Sequence, residues 1–246
     1  MNSLRAIIGP TGGLGYHFTA WRFSKTWNTF RERIRIWLSQ WSPQEKQLIL
    51  FGPSSGYTLS QDFLARFAVI RVVEPDPAAR LLFKRKFQSL RDRIRFEAAY
   101  DILPWWNEDA DDPSEKLKKF LADCETQDGP CAILFSNILG QIPLLKTCYD
   151  EPHLQKSFTD ALSTKSWASY HDLFSGRSID MDRCPDAIVM SGDIEVLARR
   201  FFRNSAAITD HGTTWLGDGT TVAVTRWNLT PKNSHVIAFY CARRAQ

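Results

Sequence analysis

Gly52-Pro53-Ser54-Ser55-Gly56, at the end of the apolar run LILF, is compatible with two different chemistries. It satisfies G-x-S-x-G, the tight elbow that lifts a nucleophilic serine above a sheet. That use requires an acid and then a histidine later in the chain. Asp210-His211 offers the pair, but adjacent strand residues project to opposite faces, so Asp186 would have to replace Asp210. Only one strand is evident before Ser54, which leaves a serine hydrolase acting through Ser54 as the minor alternative. The other use is a loop that lets backbone approach a nucleotide-like cofactor. It requires an acidic residue at the end of the next strand, about 20 residues on, to bond ribose hydroxyls. Glu74 closes the apolar run AVIRVVE at that spacing, and Pro75 and Pro77 follow to open a helix.

Further polar groups that could act on a substrate fall in three clusters. These are Tyr16-His17, then Tyr170, His171 and Asp172 in SWASYHDLFSG, and Asp210 and His211 in ITDHGT. His171 and His211 are the candidate general bases, because imidazole titrates near neutrality. His17, His171 and His211 could be imagined around a metal, but no pair has helical or finger spacing, so no metal is expected. A second glycine series, Gly9, Gly12 and Gly15, precedes an arginine-bearing helix and not a strand ending in an acid. It reads as a turn that could fold over the cofactor mouth. The basic stretch RLLFKRKFQSLRDRIR reads as a solvated helix face, since its aromatic interleaving is too thin for an RNA platform.

The elements that must position these groups alternate between strand and helix. Trp27, Phe30, Ile34, Trp37, Leu38 and Trp41 recur at helical spacing, and Ser42-Pro43 ends that amphipathic segment. Gln47–Phe51 is a strand, SQDFLARF a helix, residues 68–74 a strand, and PAARLLFKRKFQSLRDRI a helix. RIRFEAAY is strand-like, PSEKLKKFLADCE helical, and CAILFSNIL a buried parallel strand between Gly129-Pro130 and Gly140. Residues 143–203 read as helix and loop, AAITDH as a strand, and the two β-rich runs around Thr230-Pro231-Lys232-Asn233 as a hairpin. The pattern predicts a doubly wound, mostly parallel Rossmann-like α/β sheet with a C-terminal antiparallel hairpin. Residues 1–246 are expected to form a single domain, with 1–45 a helical extension and 46–246 the core.

Composition sets the outer bounds. The 246 residues carry 31 Lys+Arg against 27 Asp+Glu, a balance too even to predict nucleic-acid binding. Five scattered cysteines without a C-x-x-C fit reduced thiols, and no apolar run reaches membrane-spanning length. A cytoplasmic protein with no membrane partner is the expectation.

LILFGPSSGYTL, VVEPDPAARLLFKRKF, YDILPW and AILFSNILGQI together resemble the cofactor-binding half of class I S-adenosylmethionine-dependent methyltransferases, over roughly residues 47–142. The resemblance implies S-adenosylmethionine as cofactor, with Gly52, Ser54 and Gly56 at the three glycine positions. Glu74 would hold the ribose, Asp101 would face the adenine amino group, and Asn137 would lie near the methionine end. Leu50 stands where the family usually has an acid, and Ser54 where it has the middle glycine. Those two departures motivate a non-catalytic binding protein of the same fold as the alternative. The acceptor implied is a small molecule, a protein or an RNA.

Overall fold

The computed structural model describes residues 13–98, 113–141, 151–178, 187–189, 193–203, 208–217 and 221–242. Among the described residues nine strands form one sheet: β1 Gln47–Phe51, β2 Val69–Val73, β3 Ile94–Phe96, β4 Cys131–Ser136, β5 Ser166–Arg177, β6 Ala187–Val189, β7 Thr209–Asp210, β8 Thr221–Asn228 and β9 Asn233–Ala242. Their order is β3-β2-β1-β4-β5-β9-β8-β6, with β7 pairing β5 off the main path. The run β3-β2-β1-β4-β5 is parallel. β9 is antiparallel to both β5 and β8, and β6 adds an antiparallel edge. This is the doubly wound sheet with a closing antiparallel hairpin that the sequence leads one to expect.

Alternation along the strands divides the core between the two faces. Leu48 and Leu50 of β1 point to one face with Ile70, Val72, Leu134, Tyr170, Ile237 and Phe239. Ile49 and Phe51 point to the other, with Val73, Ile133, Phe135 and Trp167. The first face is covered by α1 (Gly13–Arg22), α2 (Asn28–Gln40), α3 (Gln61–Leu64) and α4 (Pro77–Lys86). On the second lie α5 (Pro113–Asp128) and α6 (Glu151–Leu162), and α7 (Ile194–Arg199) packs near the hairpin. The single amphipathic helix expected over 17–41 is two helices joined by a turn at Phe23–Trp27. The expected tryptophan stripe faces inward, with Trp27, Phe30, Ile34, Leu38 and Trp41 all buried.

One expectation fails. Residues 166–177, taken as helix or loop, form β5, the longest strand and the seam between the parallel and antiparallel halves. Its pairing with β9 shifts register between Asp172 and Phe174. Among the described residues, no helix is long and apolar enough to cross a membrane.

Candidate functional site

β1 and β4 are neighbours, yet the helices that follow them pack on opposite faces: α3 with the first cluster and α6 with the second. Such a reversal opens a crevice at the carboxyl ends of the strands, where doubly wound sheets bind ligands. The residues that turn there are strained. Ser54 has φ 51° and Asn137 φ 55°, a left-handed backbone that non-glycine residues adopt rarely and mostly at functional sites. Gly52 and Gly56 have φ 60° and 69°, and a Cβ on Gly52 would meet Ile138 Cδ1 at 2.7 Å.

Glu74 extends from the end of β2 beneath this loop and is 6% exposed. Its two oxygens accept from Ser54 N (2.8 Å) and Asp76 N (3.0 Å). Burial raises its carboxyl to about 7, against the pull of those two amides. Asp76 caps α4 by accepting from Ala78 N at 2.8 Å, and its other oxygen accepts from Gly13 N (3.0 Å) and meets His17 Nε2 (3.1 Å). His17 Nδ1 reaches Tyr57 Oη (2.9 Å) and Ser55 Oγ (3.2 Å). Helix α1 is therefore tied down over the loop. Tyr16, its neighbour, lies within electrostatic reach of Glu74 on one side and of Tyr170 and Asp172 on the other, and burial raises its phenol.

Ser55, His17 and Asp76 are connected like a nucleophilic relay. However, Ser55 is 3% exposed and shares its histidine nitrogen with the Tyr57 hydroxyl. Ser54, the serine of the G-x-S-x-G reading, contributes its amide to Glu74.

Across the crevice, Asn137 Nδ2 donates to Asp172 Oδ2 at 3.1 Å, and His235 Nδ1 lies 2.7 Å from Asp172 Oδ1. Burial opposes ionisation of Asp172, but the His235 charge and hydrogen bond, His211 and Asn137 together bring its carboxyl below the ordinary range. An ionised carboxylate only accepts, so His235 donates from Nδ1 and its Nε2 is the basic nitrogen. His211 Nδ1 donates to Gly140 O at 2.8 Å, and its Nε2 accepts from Ser175 Oγ at 2.9 Å. Asp172, His211 and His235 could together hold a metal ion, since one ligand atom from each lies within 4.8 Å of the others.

The residues singled out in the sequence are thus unequally placed. Gly52, Ser54, Gly56, Glu74 and Asn137 gather at the crevice, and His211 stands beside Asp172. Asp101 lies outside the described residues, as do Gly9 and Gly12. His171 is 1% exposed and projects to the face opposite Asp172, where its Nδ1 meets Ser169 Oγ (2.9 Å) and its Nε2 has no partner among the described residues. Burial lowers its imidazole to about 3, so it stays neutral at physiological pH. Asp210 is exposed and accepts from Gly212 N. His235 was not apparent from the sequence, because its partner strand β5 was itself unrecognised. The available signal was its alternation with Ile237 and Phe239 along β9.

No family model and no curated protein matches the sequence. Among solved structures, the chain is similar to the N-methyltransferase NodS from Bradyrhizobium japonicum, described in complex with S-adenosyl-L-homocysteine. That likeness has 12% identity and a TM-score of 0.43, over 97% of this chain and 95% of the other. A SAM-dependent methyltransferase from Anabaena variabilis is similar at 11% identity and TM-score 0.42, over 86% and 82%. Geranyl diphosphate C-methyltransferase from Streptomyces coelicolor is similar at 10% identity and TM-score 0.40, over 98% and 86%. At these levels the likenesses carry no inference about activity, and the functional reading rests on strand order and side chains.

Proposed function

We propose that the chain is an S-adenosylmethionine-dependent methyltransferase whose donor lies in the crevice between β1 and β4. The observation that carries this reading is Asn137 Oδ1, a buried acceptor without a partner among the described residues, at the left-handed end of β4. Its amide nitrogen is committed to Asp172, which fixes the free oxygen as an acceptor awaiting a donor such as an ammonium group. Glu74 fits the other end of such a ligand, since each of its oxygens retains lone-pair capacity for a ribose hydroxyl.

When bound, S-adenosylmethionine would supply an electrophilic methyl group. The work of this chain is then to hold the acceptor in line and to take its proton. His235 is suited to that second task. Asp172 orients it through the Nδ1 hydrogen bond, and Trp227, 5.3 Å away between ring centroids, forms an apolar wall beside it. Of the two bases expected from the sequence, His211 sits beside this pair with both nitrogens engaged, and His171 lies on the other face.

Calorimetric titration with S-adenosylhomocysteine tests the donor site. Saturable binding is expected, weakened at least tenfold in Glu74→Ala; absence of binding at millimolar ligand overturns the reading. For turnover on an identified acceptor, His235→Ala is expected to lower kcat by about 10²-fold or more, in keeping with general-base contributions. A chelator should leave the rate unchanged. Loss of activity on chelation would instead give Asp172, His211 and His235 the role of metal ligands.

A further inference from the structure

Beside the donor loop is a cavity of about 470 Å³ lined by Arg31, Arg35, Tyr57, Thr58, Ser60 and Lys86, together with Asn28, Glu32 and Leu59. Its charges are unbalanced. Arg35 and Glu32 satisfy each other through hydrogen bonds that include Nε to Oε2 at 2.8 Å. Arg31 has no ion pair among the described residues, and its Nε is buried without a hydrogen-bond partner. Its guanidinium carbon instead lies 5.7 Å from the Trp27 ring centroid. Lys86 Nζ donates to the carbonyls of Gly56 and Leu59 and meets no carboxylate among the described residues. Burial, and then the Arg31 charge, lowers this ammonium to about 8.

Two cations line one cavity and neither meets a carboxylate among the described residues, so an anion placed there would gain charge-assisted hydrogen bonds from both. Neutral donors stand ready as well. Ser60 Oγ accepts from Phe63 N at the start of α3, leaving its own proton free. We propose that this cavity is an anion site, and that on the methyltransferase reading it holds a phosphate or carboxylate group of the molecule that is methylated.

The placement connects the cavity to the chemistry. Tyr57 and Thr58 line the cavity and also bond into the crevice: Tyr57 Oη with His17, and Thr58 Oγ1 with Tyr170 Oη at 2.6 Å. Thr58 and Tyr170 thus link the cavity to β5, two residues before Asp172 of the Asp172–His235 pair. Both cations come from segments outside the strand-end turns that form the donor site: Arg31 from α2 and Lys86 from the last turn of α4.

The test is titration of the full chain with inorganic pyrophosphate, alongside S-adenosylhomocysteine as a separate ligand. Pyrophosphate is expected to bind at one site. Its affinity should fall at least tenfold in Arg31→Met and again in Lys86→Met, with thermal unfolding of each variant measured alongside, because Lys86 also bonds the Gly56 and Leu59 carbonyls. It should be unchanged in Arg33→Met, an exposed cation on the same helix outside the cavity. Arg31→Lys should retain part of the affinity, and S-adenosylhomocysteine should bind all four variants as it does wild type. Equal pyrophosphate affinity in Arg31→Met, Arg33→Met and wild type would overturn the site, since only diffuse surface charge would then be acting. Loss of S-adenosylhomocysteine together with pyrophosphate in the two cavity variants would overturn the assignment to the acceptor, because the anion would be the donor's own carboxylate. Pyrophosphate binding without any S-adenosylhomocysteine binding in wild type would uphold the anion site and defeat the methyltransferase reading alone.

Discussion

At the scale of residues, Glu74 and His171 are two buried titratable groups whose effects on stability oppose each other. Burial raises Glu74 from 4.5 to about 7, so the folded state holds its proton more tightly than the unfolded chain. The stability it contributes is complete below pH 4.5 and is lost as pH rises through about 7. His171 is lowered from 6.5 to about 3, so its stability is complete above pH 6.5 and is lost as pH falls toward 3. Each pH unit within either window corresponds to about 1.4 kcal/mol. Between pH 4.5 and 6.5 the two slopes cancel in the wild type. Urea unfolding at a series of pH values is expected to separate them. His171→Gln should leave stability falling as pH rises through that interval, and Glu74→Gln should leave it rising. Parallel profiles for both variants and the wild type would mean that neither group controls the pH response.

At the scale of elements, α1 is held to the donor loop by a small number of polar contacts. The bonds from Gly13 and His17 to Asp76, and from His17 to Tyr57 and Ser55, all come from the first half of the helix, and three of the four come from His17. On its outer side Leu14, Phe18 and Trp21 are 64%, 57% and 71% exposed. Removing the imidazole in His17→Ala deletes the central member of this set, at about 1–2 kcal/mol. Tryptic cleavage after Arg22 or Lys25 is therefore expected to accelerate by about tenfold, with the global unfolding midpoint little changed. An unchanged cleavage rate would mean that apolar packing, through Ala20 and Tyr16, holds the helix instead.

Elements with a simple pattern were legible in the sequence. β1, β2 and β4 are short apolar runs buried on both faces, and α2 announces itself by its tryptophan spacing. β5 was not legible. SWASYHDLFSGR has neither a continuous apolar run nor clean alternation, since its polar side chains are buried through specific partners: Ser169 with His171, and Asp172 with Asn137 and His235. The site was legible to the same extent. Glu74, the glycine loop and Asn137 follow from strand ends that local patterns mark, whereas Asp172 and His235 meet across a strand pairing that no local pattern encodes. The cavity cations Arg31 and Lys86 were hidden for a different reason. Each sits in a run of similar residues, and only the fold distinguishes the ones that lack a partner.

At the scale of the whole molecule, β5 joins two halves of unlike pairing, a parallel half that forms the strand-end crevice and an antiparallel half that contributes His235. The first face of the sheet also depends on both. Trp27 Nε1 donates to Leu229 O at 3.0 Å across 202 positions of sequence, and the Phe30 ring stacks on Trp227 at 4.8 Å. Deleting the closing hairpin, residues 221–242, should therefore not leave a soluble donor-binding half. The expected product exposes Trp27, Phe30 and Trp37 and is recovered from the insoluble fraction. A soluble, monomeric truncation that still bound S-adenosylhomocysteine would show the parallel half to be self-sufficient.

The same long-range contacts determine when the protein can mature during synthesis. Helix α2 is translated some 200 residues before the strands that cover its tryptophans, at a ribosomal pace of about 5–20 residues per second. For that interval of roughly 10–40 seconds its apolar stripe has no permanent cover, so the nascent chain is a client for whatever holds exposed aromatic surface during translation. Crevice, acceptor base and helical cover are then completed together, when the last hairpin emerges.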